Sequence, residues 1–225
     1  KIRVNARRGE AVHHVDAHPW ITSYSASLEG GSWWNTIKKG EWNYVIDRYH
    51  QLAGGTMLKN QSDQMLTQTF YILTVLDEND QVCQAINGYY DVIWPKEEVF
   101  FAPPPLELPK DCSGKTVDLV IVPGEYGQFP VSYNPLESSQ VSFSDENHVN
   151  VSVVNNLNAS ISQSRVYVVL RNEEGRIVGG GYQTTEIIRS GSSLNVQVPV
   201  AYLGDPENLT VSAFATLPYG VEFGQ

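Results

Sequence analysis

His13-His14-Val15-Asp16-Ala17-His18 is the densest gathering of metal-ligating side chains in the chain. Neutral imidazoles beside a carboxylate can hold zinc or copper, so His13, His14 and His18 are the candidate metal ligands. Their spacing departs from the HxHxDH pattern of metal-dependent hydrolases, and no second ligand cluster follows. A solvated histidine-rich arm is the competing reading. Asp77-Glu78-Asn79-Asp80 and Asp145-Glu146-Asn147 are oxygen-rich like calcium loops, yet neither continues with the glycine and distant glutamate of an EF-hand. The first of them returns later as Asn172-Glu173-Glu174-Gly175, which is ordinary hairpin chemistry.

Aromatic side chains crowd the front of the chain: Trp20, Trp33, Trp34 and Trp42, with Tyr24, Tyr44 and Tyr49. Such rings fill a core, form a protein interface, or stack on sugar rings. The Gly30-Gly31-Ser32 stretch before Trp33 marks a loop tip and favours an exposed role. The four tryptophans are therefore the candidate ligand-binding residues, with carbohydrate as the ligand class.

Catalytic motifs are missing from the sequence. There is no nucleophile elbow, phosphate loop, dinucleotide fingerprint or HExxH pair. Gly179-Gly180-Gly181 follows one strand and precedes another, so no helix N-terminus stands ready for a phosphate. The expectation is a protein that is not an enzyme and needs no cofactor.

Cys83 and Cys112 are the only cysteines, and no CxxC spacing exists. One disulfide between them implies an oxidising compartment; two core thiols are the alternative. A net charge of -10 excludes a nucleic-acid partner, since phosphate binding needs a basic surface. Basic residues concentrate at the start, in Lys1, Arg3, Arg7 and Arg8. No run reaches the roughly 20 apolar residues of a membrane helix. The N-terminus lacks the apolar core of a secretory signal, so an extracellular chain implies a leader already removed. Sequons at Asn60, Asn150, Asn158 and Asn208 accept glycans only in a eukaryotic secretory setting.

The elements that must position these residues emerge from an internal repeat. Shifted by 95 positions, Asn60 to Leu108 falls on Asn155 to Leu203 without a gap. Asn60 meets Asn155, Phe70 to Val75 meets Arg165 to Leu170, and Pro104 meets Pro199. After one skipped residue, Lys115-Thr116-Val117 meets Leu209-Thr210-Val211. Turns fall on turns and apolar runs on apolar runs.

Each copy reads as β-strand throughout. Val149, Val151 and Val153 alternate with polar neighbours, as do Leu194, Val196 and Val198, which is the period of a half-buried strand. Pro199 cannot donate to a ladder and puts its strand at an edge. Val166 to Leu170 is apolar on both sides, as a central strand is. Glu174-Gly175, Ser190-Gly191 and Gly204-Asp205-Pro206 supply the turns. Short strands with regular turns predict an all-β protein of two tandem immunoglobulin-like β-sandwich domains with an N-terminal arm.

The expected boundaries are an arm over 1–17, a first sandwich over 18–122, a linker over 123–130, a second sandwich over 131–217 and a tail over 218–225. The first copy reads as carrying an extra section from about His18 to Leu58.

The punctuation of Asn155, Val166 to Leu170, Glu174-Gly175, Ser190-Gly191 and Leu194 to Val200 resembles the immunoglobulin-like accessory domains of bacterial secreted proteins and lipoproteins, including the FxLYD group. Asn60, Asp77 to Val82, Pro95 and Val99 carry the same resemblance in the first copy. It covers the two repeat cores and not the first 50 residues, and the namesake signature is absent in clean form. The resemblance implies an extracellular or cell-surface module without catalysis. The expected function is a structural or interaction protein, self-assembling or binding a protein partner through its arm. A glycan-binding accessory module built on the tryptophans is the alternative.

Overall fold

The computed structural model describes residues 36–127 and 133–218, most of them in strands or tight turns. The first half holds β1 (Ile37–Lys39), β2 (Asn43–Ile46), β3 (Gln51–Asn60), β4 (Met65–Leu76), β5 (Val82–Ile93), β6 (Glu98–Phe101), β7 (Leu106–Glu107), β8 (Thr116–Val122) and β9 (Glu125–Gly127). The second holds β10 (Leu136–Asp145), β11 (His148–Asn155), β12 (Arg165–Arg171), β13 (Ile177–Thr184), β14 (Ser193–Pro199), β15 (Ala201–Tyr202) and β16 (Thr210–Thr216). All pairings are antiparallel and no sheet closes into a barrel. The chain is all-β, built as tandem β-sandwiches.

In the first half β3 is central to one sheet, with β1 and β2 on one side and β6 and β7 on the other. The opposing sheet runs β5-β4-β8, and β9 continues along β4 beyond β8. The second half repeats this as β10-β11-β14 against β13-β12-β16, except that β15 joins β13 in the opposing sheet whereas β7 joins β3. Pro199 ends β14, an edge strand, and β12 is central, as the apolar pattern requires.

The 95-residue shift maps β3 to β7 onto β11 to β15 strand by strand. Left-handed turn positions repeat too: Gln68 and Gln163, Asp80 and Gly175, Lys96 and Gly191 all have positive φ. Two readings of the sequence need correction. Ile37 pairs with Asn60 just as Leu136 pairs with Asn155, so β1 and β2 correspond to β10. Hence 37–58 is not an extra section of the first copy; the turn between β2 and β3 differs in length from that between β10 and β11, which hides the match in the sequence. Within the stretch expected to be the linker, Glu125–Gly127 is a strand of the first sandwich.

Asn60 and Asn155 explain the shared geometry of the two copies. Asn60 Nδ2 donates to the carbonyls of Gln64 (2.8 Å), Ile93 (3.2 Å) and Trp94 (3.0 Å). Asn155 Nδ2 donates to Ala159 (2.8 Å), Ile188 (3.1 Å) and Arg189 (3.4 Å), each 95 residues on. Their Oδ1 atoms accept from the amides of Ser62 and Leu157. A buried amide thus ties one sheet to the strand end of the other.

Cys83 of β5 and Cys112, ahead of β8, form a disulfide with Cα atoms 5.6 Å apart. Its sequence separation is 29 residues. Loop closure of that length constrains the unfolded chain by about 3–4 kcal/mol. Reduction is therefore expected to lower stability by about that amount, read as the urea midpoint with and without reductant at constant slope.

The two halves meet over a broad buried surface. β13 lies across β3 and β2, and its glycine run lets the backbones approach: a Cβ on Gly180 would sit 3.1 Å from Ala102 Cβ and 3.5 Å from Gly54 O. Met65, Val92 and Trp94 of the first half belong to the core of the second. Thr216 Oγ1 donates to Val92 O at 3.1 Å, and Arg176 Nε to Asn43 Oδ1 at 3.1 Å.

Glu97 sits at this junction. It accepts from Trp94 N at 2.8 Å and from the Asn134 side chain, while burial pushes its carboxyl up to about 7. The folded state thus holds a proton that the unfolded chain, at 4.5, releases. Stability from this group is lost as pH rises from about 4.5 through about 7. Glu97→Gln is expected to flatten that part of the stability–pH curve, by an amount on the order of 2–3 kcal/mol at pH 8. Urea melts at pH 5, 6.5 and 8 check it; an unchanged slope refutes the assignment.

Candidate interaction surface

The strongest cluster of perturbed groups is sealed between the halves. Tyr90 stacks on Tyr167 with centroids 4.7 Å apart, and Tyr71, Phe101 and Tyr182 surround them. Arg165 Nη1 pairs with Asp91 Oδ2 at 3.0 Å, and its guanidinium lies over Tyr89 at 4.5 Å. Burial holds the Tyr90 and Tyr167 hydroxyls well above the ordinary tyrosine range, and that of Tyr71 is pushed up to about 12. These phenols stay neutral in a closed environment. Their chemistry is to fasten two sandwiches together.

The strand edges differ between the halves. In the first, side chains from β1 and β2 and the link between them close the outer edge of β8. Lys39 Nζ donates to Leu119 O (2.6 Å), Trp42 Nε1 to Val117 O (3.1 Å) and Tyr44 Oη to Lys115 O (3.3 Å). Three alternate carbonyls, those facing away from β4, are thereby capped. Register places Ser138, Val141 and Phe143 at the matching positions of the second half. Valine and phenylalanine have no donor, and Ser138 Oγ is buried without a hydrogen-bond partner. Among the described residues the outer side of β16 receives one side chain, Asn134 Nδ2 on Ala215 O at 2.8 Å. Val141, Phe143, Val211 and Ala213 remain only partly buried along this seam.

A second feature is a cleft of about 270 Å3 lined by Asp47, Arg48, Tyr49, Glu146, Asn147 and Tyr202. Arg48 bridges it to Glu146 at 2.6 Å and lies over the exposed Tyr49 ring at 4.8 Å. This exposed pair contributes little to stability.

The structure treats the candidate site residues unequally. His13, His14, His18, Trp20, Trp33 and Trp34 lie outside the described residues. Trp42 is half-buried, stacked on Tyr44 at 6.4 Å, with its N–H committed to Val117 O. Asp77 Oδ1 accepts from Asn79 N and Gln81 N, and Asp145 Oδ1 from Asn147 N, so both acidic turns spend an oxygen on their own backbone. Among the described residues no group of three His, Cys, Asp or Glu is placed to hold a metal. No described helix is long and apolar enough to cross a membrane.

Sequence reasoning missed the side-chain caps of β8 and their absence from Val211 and Ala213 among the described residues. A signal existed: β16 reads Thr-Val-Ser-Ala-Phe-Ala-Thr without a charge or proline, whereas β8 carries Asp118. Uncharged edges are the ones other chains pair with. In comparisons with known proteins, no family model and no curated protein matches this chain.

Proposed function

We propose that this is a non-catalytic structural or interaction protein of the cell surface or extracellular space, self-assembling through its N-terminal arm, residues 1–17. The observation that supports this reading most is that, among the described residues, Asn134 is the only side chain donating to the outer side of β16, on a body whose halves are fastened by a buried ion pair and stacked tyrosines. A fastened body offers a fixed docking surface, and an unpaired strand edge offers backbone groups to another chain. The Cys83–Cys112 disulfide suits an oxidising compartment, and the likeness to bacterial extracellular accessory domains points the same way.

Light scattering after size-exclusion chromatography tests the reading, on the intact chain and on one lacking residues 1–17. Oligomers formed by the intact chain and lost on truncation are expected. Two monomers would refute self-assembly.

A further inference from the structure

We infer that residues 19–35 of the same chain lie across the outer face of the β5-β4-β8 sheet, with Trp33 and Trp34 seated on Phe70, Ile72, Tyr89 and Val120. The inference goes beyond the self-assembly reading, which concerns residues 1–17, and gives the tryptophans a protein surface in place of a sugar.

Three observations carry it. First, the two copies differ in what covers this face. Register matches Phe70, Ile72 and Thr74 of β4 with Arg165, Tyr167 and Val169 of β12, and Val120 with Phe214. In the second copy the first sandwich supplies the cover. Tyr167 stacks on Tyr90 and Val169 lies against Gly55, and both are fully buried. In the first copy Phe70 is 50% exposed and Tyr89 36%, ring against ring at 6.3 Å. Ile72 and Val120 are half-buried beside them. The opposite end of the body shows a face suited to solvent: β11 and β14 turn Asn150, Asn195 and Gln197 outward, all exposed. An aromatic patch in place of such a polar face marks a surface that is covered.

Second, the chain arrives beside the patch. Thr36 is buried, and its carbonyl accepts from Gln61 N at 2.7 Å. Ile37 and Lys39 share a hollow of about 280 Å3 with Leu119, Val120, Ile121 and Pro123, at the β8 border of the face. Register equates Ile37 with Leu136, and hence Asn35 with Asn134. Asn134 Nδ2 donates to Ala215 O, and its Oδ1 accepts from Leu136 N. Ile121 is the counterpart of Ala215, so the same bond sets Asn35 on Ile121 O. What precedes this asparagine in the second copy is the sandwich that covers the face. In the first copy it is residues 19–34.

Third, the segment has the composition of a cover. Residues 19–35 hold Trp20, Ile21, Tyr24, Leu28, Trp33 and Trp34 but a single charged side chain, Glu29. Neighbouring strands lie about 5 Å apart, so Tyr89 is about 10 Å from the β8 border, a distance that about four extended residues span.

The test uses the full chain and reads acrylamide quenching of tryptophan fluorescence, with light scattering to give the association state. Phe70→Asp with Val120→Asp puts charge on the face; Trp33→Ser with Trp34→Ser alters only the segment. Trp42 and Trp94 sit in the described body and are common to all variants. Weak quenching is expected in the full chain, rising severalfold in the aspartate variant while its far-ultraviolet circular dichroism stays native. The serine variant should gain binding of an apolar-surface dye and lose it again when the aspartates are added. Strong quenching that the aspartates leave unchanged would overturn the inference and put the tryptophans in solvent, within reach of a sugar. Should the aspartate variant not fold, a serine variant that binds no more dye than the full chain has the same meaning. Weak quenching that becomes strong on dilution from dimer to monomer would refute the same-chain cover and assign it to a second copy.

Discussion

Arg165→Met is expected to cost about 3–5 kcal/mol of unfolding free energy, because it strands a carboxylate inside the molecule. Asp91 has only 5% of its side chain exposed, and Arg165 17%. The guanidinium also donates to Tyr89 O and rests over the Tyr89 ring, so no water can replace all its contacts at once. The loss arises from desolvation without compensation, not from the attraction removed. The double variant Arg165→Met with Asp91→Leu should therefore be more stable than the single one, by about 1–4 kcal/mol. Urea unfolding followed by far-ultraviolet circular dichroism measures both. A single variant within about 1 kcal/mol of the native chain would show that the pair is solvated as surface pairs are.

The same pair bears on how the halves unfold. Arg165 starts β12 and Asp91 lies near the end of β5, so their bond spans the two sandwiches. Val92, Met65 and Trp94 reach into the neighbouring core, and Thr216 binds back to Val92 O. One cooperative transition is expected in the native chain, with two separable transitions after Arg165→Met.

The second large effect concerns the repeated asparagines. Asn155→Ala removes three donated bonds and one accepted bond at a site with no exposed surface. Each of these bonds contributes about 1 kcal/mol net. A loss of roughly 3–5 kcal/mol follows, and Asn60→Ala should match it because its bonds have the same geometry. Asn155→Asp makes a sharper probe. At neutral pH the introduced carboxylate would face three carbonyls and destabilise more than alanine does. Protonation restores one donor, so this variant should recover on acidification, its folded-state carboxyl being raised by burial. Equal stability of N155A and N155D at pH 7 would contradict the bonding read from the structure.

Much of this was legible from the chain. Asn60 and Asn155 aligned because one backbone need, three carbonyls at a strand end, recurs in both copies. Turn glycines were readable because Gly175, Gly191 and Gly204 adopt positive φ, which few other residues do without strain. The repeat was visible because alternation records which face is buried, and burial is shared by both sandwiches. The partner of Trp42 was not legible for a related reason: composition says that an indole is present but not where its N–H points. The equivalence of β1 and β2 with β10 was hidden because a different loop length broke the alignment while the register survived.

Local chemistry, then, was enough to determine the strands, their turns and the doubling of the fold, while the structure chose the disulfide over two core thiols. Tertiary structure alone decided the rest: that Arg165 meets Asp91, that Tyr90 stacks on Tyr167, that a glycine run opens a contact between the halves. It also decided that three side chains cap β8, whereas among the described residues Asn134 alone caps β16. These depend on distances between residues remote in sequence, and hydrophobic period carries no information about which side chain will reach a given carbonyl across two sheets.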